Sequence, residues 1–280
     1  MTNRSQVAAC RLHIPLIMGI LNLTADSFSD GGRWLEPELA VSHALQMLND
    51  GAEIIDIGAE STRPGALGIS EDEEWGRIEP VLRMLREESP KCRISIDTQK
   101  SYVAEQAIRA GANMINDISA LEYDPRLAEV MSANPEVELV LMHMQGRPQS
   151  MQVNPQYEDV VQEVKQYLIS RMQYAISQGI SENNIYLDPG IGFGKTPGHN
   201  LALLAHLDEY KGYKLLLGAS RKSFIGKIIN SNPDHRLGGS LATTMQAMLA
   251  GVSIIRVHDV FEHHQFIQVA AAIMKQKGAF

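Results

Sequence analysis

The chain has 280 residues, of which 44% are hydrophobic and 21% are charged, and its formal net charge is −8. This composition excludes a disordered chain and argues against a nucleic-acid binder, which would show a basic face. No apolar run reaches the roughly 18 residues that a transmembrane helix needs, so neither a nucleic-acid nor a membrane partner is expected.

The first residues of the chain are predicted to be a short tail, residues 1–13, because they lack the apolar segment of a signal peptide. The chain has two cysteines, Cys10 and Cys92. Two cysteines are too few for a disulfide framework, so a reducing compartment, the cytoplasm, is expected.

Eight short apolar runs follow one another along the chain, each leading to a polar residue. The polar residues are Asn22, Asp56, Asp97, Asn116, His143, Asp188, Ser220 and Arg256. Amphipathic segments lie between most of the runs, which indicates buried parallel strands alternating with helices. Eight such units predict a single (βα)₈ TIM barrel over residues 1–280. An open, doubly wound sheet is the alternative.

A weak internal repeat supports this division into units. Its copies are 51–56, 111–116 and 251–256, and each follows a helical pattern and begins with glycine. Glycine is favoured there because the residue after a helix often takes a left-handed conformation.

Seven polar residues are predicted at the carboxyl ends of the strands, where such barrels carry their active sites: Asn22, Asp56, Asp97, Asn116, His143, Asp188 and Arg256. A single Asp or Asn at such a place can simply cap the next helix. Seven such residues directed to one rim indicate an active site.

Asp97, Asn116 and Asp188 suit a ligand rich in N–H donors, such as an aminopyrimidine or a pterin, since a carboxylate accepts two N–H bonds from one ring edge. They also favour positive charge developing on that ring. A transition-metal site is the weaker alternative, because an Asn is a poor ligand and no close His cluster joins it.

Arg63, Lys222, Arg256 and His258 form a second group, at strand ends or in the following loops, that suits phosphate oxygens. Asn22 is a candidate ligand of a Mg²⁺ bound to those phosphates. The alternative is that these cations pair with carboxylates elsewhere.

The segment 220–224 is predicted to be a turn that runs into a helix, where a small carboxylate would bind with the help of Ser223. The alternative is that Ser223 is a plain N-cap. Two apparent motifs fail: 190–196 is not a P-loop, because position 189 is Pro, and 218–222 is not a nucleophile elbow, because it ends in Lys. His263 and His264 are expected on the last helix rather than at a metal.

Several motifs together resemble those of dihydropteroate synthases, in the same order and over nearly the whole chain. They are MGILNLTADSFSDGG (18–32), DIGAESTRPG (56–65), ISIDT (94–98), IND (115–117), MHMQG (142–146), LDPGIGFGK (187–195), SRKS (220–223) and IRVHDV (255–260). The resemblance implies a TIM barrel that condenses 6-hydroxymethyl-7,8-dihydropterin pyrophosphate with p-aminobenzoate in folate biosynthesis. It also implies use of Mg²⁺ and a homodimer.

The resemblance further implies a role for individual residues. The pterin would be held by Asp97, Asn116, Asp188, Lys222 and Arg256. The pyrophosphate would be held by Asn22, Arg63, Arg256 and His258, with Asn22 facing the metal. The p-aminobenzoate site, which sulfonamides would also occupy, would be lined by Phe28, Thr62, Pro64, Phe193, Lys222 and Ser223. The catalytic residues would be Asp30, Asp97, Lys222 and Arg256.

Asp56 and His143 receive no role from the resemblance, and Ala25 stands where the family usually has Pro. The loss of that Pro raises the entropy of the open first loop. Two other functions compete: a methyltransferase domain that handles methyltetrahydrofolate, and a barrel that binds pterin without turnover. The cations Arg63, Arg256 and His258 argue against the former, which needs no pyrophosphate site.

Overall fold

The computed structural model describes residues 12–23, 37–61, 65–66, 68–148 and 150–276. The parallel strands are β1 (Leu16–Asn22), β2 (Ile54–Gly58), β3 (Arg93–Asp97), β4 (Met114–Asp117), β5 (Glu138–Met142), β6 (Ile185–Asp188), β7 (Leu216–Leu217) and β8 (Ile254–Val257). The α-helices are α1 (Pro37–Asn49), α2 (Glu71–Glu88), α3 (Ser101–Arg109), α4 (Arg126–Ser132), α5 (Val160–Ser177), α6 (Pro197–Ala205), α7 (Ser223–Ile229), α8 (Leu237–Ala250) and α9 (Val260–Gln276).

The strands form a barrel in the order β6-β5-β4-β3-β2-β1-β8-β7. A parallel bridge between Leu187 and Leu215 joins β6 to the residue before β7 and brings the two ends of this order together. The predicted TIM barrel is therefore confirmed, and the open sheet is wrong. Residues 1–11 lie outside the described part, so the tail stays a prediction.

Local sequence fixes where several helices begin and end. The hydroxyl oxygen of Ser70 accepts a hydrogen bond from the N–H of Glu73 at the start of α2, and Thr196 and His199 form a capping box on α6. The glycines that open the internal repeat all have positive φ, 110° at Gly51, 100° at Gly111 and 79° at Gly251, as predicted.

Side chains inside the barrel lie in layers, because alternate residues of a strand point to the same face. One layer is apolar and consists of Met18, Ile54, Met114, Val140, Tyr186, Leu216 and Ile254. Two residues further along their strands come Asp56, Asn116, Asp188 and Arg256. The apolar layer thus forms the floor under a polar one.

This alternation corrects three predicted positions. Asp56, Asn116 and Arg256 were expected at strand ends, but each lies within its strand, with at least one strand residue after it. Their side chains consequently enter the barrel below the rim. Asn22, Asp97 and Asp188 are the last residues of their strands, as predicted.

Among the described residues, none of the helices is both long enough and apolar enough to cross a bilayer.

Candidate active site

Arg256 is the centre of the polar layer. Its Nε donates to Oδ2 of Asp56 at 2.6 Å, and a terminal nitrogen donates to Oδ2 of Asp97 at 2.9 Å. Asp56 is completely buried, whereas 18% of the Arg256 side chain stays exposed. Two neighbouring strands, β2 and β3, thus hold the guanidinium in one orientation at the bottom of the site.

Asn116 completes this layer next to Asp56. Its amide donates to Oδ2 of Asp56 at 3.3 Å, so Asp56 binds both Asn116 and Arg256. The other oxygen of Asp56, Oδ1, is buried and has no hydrogen-bond partner among the described residues. Such an atom points to a polar group, from water or a ligand, in the barrel.

Asp97 and Asp188 have carboxyl groups whose pKa is raised, chiefly because burial disfavours their charged forms. Arg256 opposes the shift at Asp97, and a hydrogen bond from the N–H of Gly190 to Oδ1, 2.7 Å long, opposes it at Asp188. Where they are ionised, two such carboxylates would favour positive charge on a ring placed beside them.

Lys222 supplies a second cation to the site. Burial and the charge of Arg256 together lower the pKa of its ammonium to about 8, against the opposing effect of Asp188 and Asp97. Its Nζ lies 4.2 Å from the ring centroid of Phe193, within cation–π distance. Lys222 and Phe193 were both predicted for the p-aminobenzoate site, and the structure brings them together.

The rim beside Lys222 carries His258 and Ser223. The ring of His258 is exposed, with Nδ1 3.1 Å from the hydroxyl of Ser220. Ser223 is the first residue of α7, and the N-cap is Lys222, so Ser223 is not the plain N-cap that was the alternative. Its side chain is exposed at the same rim.

Asn22 ends β1 and is aligned with Gly58, which in turn is aligned with Asp97. In the described ranges no group of three or more His, Cys, Asp or Glu is arranged to hold a metal. The Oδ2 atoms of Asp56 and Asp97 are engaged by Arg256. One neutral oxygen fits a Mg²⁺ that keeps mostly water and phosphate ligands, and does not fit a metal caged by protein.

Five predicted site residues lie outside the described residues, together with Ala25. They are Phe28, Asp30, Thr62, Arg63 and Pro64. Their assignments stay predictions.

Two groups of residues near the site escaped the sequence analysis. Lys100 is buried and bonds both Glu60 and Glu74 beside Asp97. Lys195 is also buried, against His143. Lys100 comes three residues after β3, so its place in a strand-end loop was the signal that would have found it.

His263 and His264 lie on α9, as predicted. The ring of His263 is buried, with Nδ1 2.8 Å from the hydroxyl of Thr244. The ring of His264 packs over Gly51. Helix packing accounts for both.

Comparison with known proteins identifies the family. Residues 18–258 match the profile of pterin binding enzymes. The dihydropteroate synthase of Escherichia coli is 44% identical over 275 residues, covering 98% of this chain and 96% of the relative. The chain belongs to the dihydropteroate synthase family.

Solved structures of the family have the same fold. The Yersinia pestis dihydropteroate synthase, in a sulfonamide complex, superposes with a TM-score of 0.88 at 40% identity and covers 98% of both chains. The Xanthomonas albilineans enzyme with 4-aminobenzoic acid gives 0.86 at 40%, covering 92% of this chain and 93% of that one. The same enzyme with 7,8-dihydropteroate gives 0.83 at 38%. These relatives make the chain a transferase of folate biosynthesis, and they decide against the methyltransferase and the binding protein.

Proposed function

We propose that this chain joins 6-hydroxymethyl-7,8-dihydropterin pyrophosphate to p-aminobenzoate with the polar layer as its pterin site. Asp97, Asn116 and Asp188 bind the ring N–H groups, and Lys222 binds the ring from the opposite side. The observation that carries the proposal is the pair of carboxylates beside the Arg256 guanidinium, Asp188, which is buried, and Asp97, of whose side chain 13% is exposed. This arrangement suits a flat, donor-rich ring on which positive charge develops.

The pyrophosphate group lies towards the rim in this proposal, among Arg256, His258, Arg63 and Asn22. A Mg²⁺ held by Asn22 and the phosphate oxygens would neutralise charge on the leaving group. Arg256 serves both ends of the substrate, because two carboxylates hold its Nε and one terminal nitrogen while part of its side chain stays exposed.

The reaction proceeds in an SN1-like order. The bond between the methylene carbon and the pyrophosphate oxygen breaks first, and its electron pair leaves with the pyrophosphate. Electron donation from the dihydropterin ring, next to Asp97 and Asp188, stabilises the cation that remains. The aniline nitrogen then attacks the carbon and loses a proton to water or pyrophosphate. An aniline is neutral at pH 7, so no strong base is required.

The p-aminobenzoate site is assigned to the rim next to Lys222. Phe193 offers a ring face and Ser223 a hydroxyl, and the complex of the Xanthomonas albilineans enzyme with 4-aminobenzoic acid supports a site for this compound. Phe28, Thr62 and Pro64 would complete it, and Asp30 would help to close it. Binding of a sulfonamide at the same place is part of the proposal, since the Yersinia pestis enzyme binds such a drug. The enzyme is further proposed to be a cytoplasmic homodimer.

The experiment that tests the proposal is product analysis with purified protein, both substrates and Mg²⁺. We expect dihydropteroate and pyrophosphate in equal amounts, and loss of pterin binding in Asp188→Asn. Lys165→Met, which removes a surface ion pair with Glu209, is the matched control and should react like the unmodified chain. Binding of the pterin without any product would contradict the proposal.

A further inference from the structure

The turn between β6 and α6, residues 190–194, is held by five side chains that hydrogen bond to its backbone. Its carbonyl oxygens at Gly192, Phe193 and Gly194 accept from Gln152, Lys195 and Tyr157 at 2.6, 2.9 and 2.9 Å. Its N–H groups at Gly190 and Gly192 donate to Asp188 and Asn200, both at 2.7 Å. This turn carries Phe193, so its position decides where that ring lies.

The turn also fits tightly against the loop after β5. Gly190 has a φ of +66°, and a Cβ at this residue would lie 1.9 Å from the carbonyl oxygen of His143. A Cβ at Gly194, where φ is +61°, would lie 2.5 Å from the carbonyl oxygen of Gln145. Two glycines thus let the turn approach this loop more closely than any other residue would permit.

Lys195 and His143 join the turn to this loop from inside. Only 2% of Lys195 and 7% of His143 are exposed. The ammonium nitrogen lies 2.9 Å from Nδ1 of His143, 3.4 Å from the carbonyl oxygen of His143 and 2.9 Å from that of Phe193. Its three hydrogens therefore have three neutral acceptors.

The contact couples the protonation states of His143 and Lys195. While Lys195 is an ammonium it only donates, so Nδ1 accepts and the neutral ring carries its proton on Nε2. Burial lowers the pKa of this ring to about 3, and the charge of Lys195 acts in the same direction. Burial likewise lowers the pKa of Lys195 to about 7, while Asp188 opposes the change.

The side of the 190–194 turn that faces away from His143 contacts the active site. A Cβ at Gly192 would lie 3.2 Å from Cδ of Lys222, and the ammonium of Lys222 lies over the ring of Phe193. Displacement of the turn would therefore move Phe193 away from Lys222, while Asn116 and Arg256, on other strands, would stay in place.

We infer that His143 and Lys195 are positioning residues that hold the 190–194 turn, and with it Phe193, at the distance from Lys222 that p-aminobenzoate requires. The inference rests on the proposed function, because the assignment of Phe193 to the p-aminobenzoate site belongs to it. The pair acts on the second substrate, so its loss raises the KM for p-aminobenzoate more than it changes pterin binding or kcat.

The test compares His143→Leu, which removes the acceptor, with His143→Asn, whose amide oxygen can take the place of Nδ1. Lys195→Met removes the donor, and Lys165→Met serves as the control on a partly exposed lysine outside the site. Two measurements are made on each protein: amide hydrogen exchange of the peptide that contains 190–194, and steady-state kinetics for each substrate. Thermal unfolding shows whether each variant is folded.

We expect faster exchange at 190–194 in His143→Leu and Lys195→Met, with the rest of the barrel unchanged. The KM for p-aminobenzoate should rise about tenfold or more, as expected for a lost hydrogen bond to a charged group, and pterin binding should change less than about threefold. In His143→Asn, the exchange at 190–194 and the KM for p-aminobenzoate should both return most of the way to their values in the unmodified chain.

The inference would be overturned by unchanged exchange and unchanged KM in His143→Leu, or by equal losses for both substrates. It would also be overturned by faster exchange throughout the barrel, which indicates a general loss of stability. Hydrogen exchange does not depend on turnover. A chain that makes no dihydropteroate but shows the local exchange effect would therefore contradict the proposed function and leave the positioning role of the pair intact.

Discussion

Arg256 depends on two carboxylates for its orientation, one of them completely buried. Asp56 receives Nε and Asp97 receives a terminal nitrogen. Removing one partner of a buried ion pair leaves the other charge uncompensated. The cost of that buried charge is far larger than the stabilisation that the intact pair gives. Asp56, which had no role from the family motifs, is therefore the residue that positions Arg256.

Asp97 holds Arg256, and its proposed role in stabilising positive charge on the pterin leads to a first prediction. Asp97→Asn keeps the shape of the side chain and removes its negative charge. We expect turnover to fall by about 100-fold or more, the range found when one electrostatic stabiliser is removed, with a much smaller change in pyrophosphate binding. Single-turnover rates and calorimetric titration with pyrophosphate measure the two. Equal losses in both would show that Asp97 has no separate role in stabilising the cation.

Lys222 gives a prediction for the alkaline side of the pH profile. The pKa of its ammonium is lowered to about 8 by burial and by Arg256, so the ammonium is present below this pH and is lost as the pH rises through it. We expect kcat/KM for the pterin substrate to decline above about pH 8. Lys222→Arg lowers the overall rate but should lack this decline, because a guanidinium does not titrate there. The same decline in Lys222→Arg would assign it to another group.

Among the elements near the site, the loops after β5 and β6 pack tightly against each other. Gly190→Ala would put a methyl group against the carbonyl oxygen of His143 at a positive φ. We expect the free energy of unfolding to fall by at least about 2 kcal/mol in urea titrations. Gly76→Ala, in the middle of α2 with no atom within 4 Å of its Cβ, should instead raise it by about 0.5 to 1 kcal/mol. Comparable changes in the two variants would refute the steric account.

The strands were predictable because each is a short apolar run that ends in a polar residue. The run Arg93–Ile96 leading to Asp97 and the run Ile185–Leu187 leading to Asp188 match β3 and β6 to the residue. The depth of Asp56 and Arg256 was not predictable from the end of a run, because it depends on which residues of neighbouring strands are aligned. Lys195 stayed hidden because a lysine after a Gly-rich segment gives no sign that it is buried against a histidine 52 residues earlier.

At the scale of the whole molecule, the barrel accounts for the site, because eight strands from the full length of the chain bring one layer of polar side chains together. The predicted homodimer is tested by sedimentation equilibrium. We expect a mass of about twice the chain mass of 30.9 kDa at micromolar concentration. The mass of a single chain at every concentration would contradict it.

If the site generates the pterin cation before p-aminobenzoate attacks, pyrophosphate release precedes formation of the new bond, and a rapid-quench measurement follows that release. Pterin pyrophosphate and Mg²⁺ are mixed with the enzyme with and without p-aminobenzoate. We expect a burst of pyrophosphate in both mixtures, with dihydropteroate formed only when p-aminobenzoate is present. Release that occurs solely with p-aminobenzoate, at a rate that rises in proportion to its concentration, would contradict this order and indicate direct displacement.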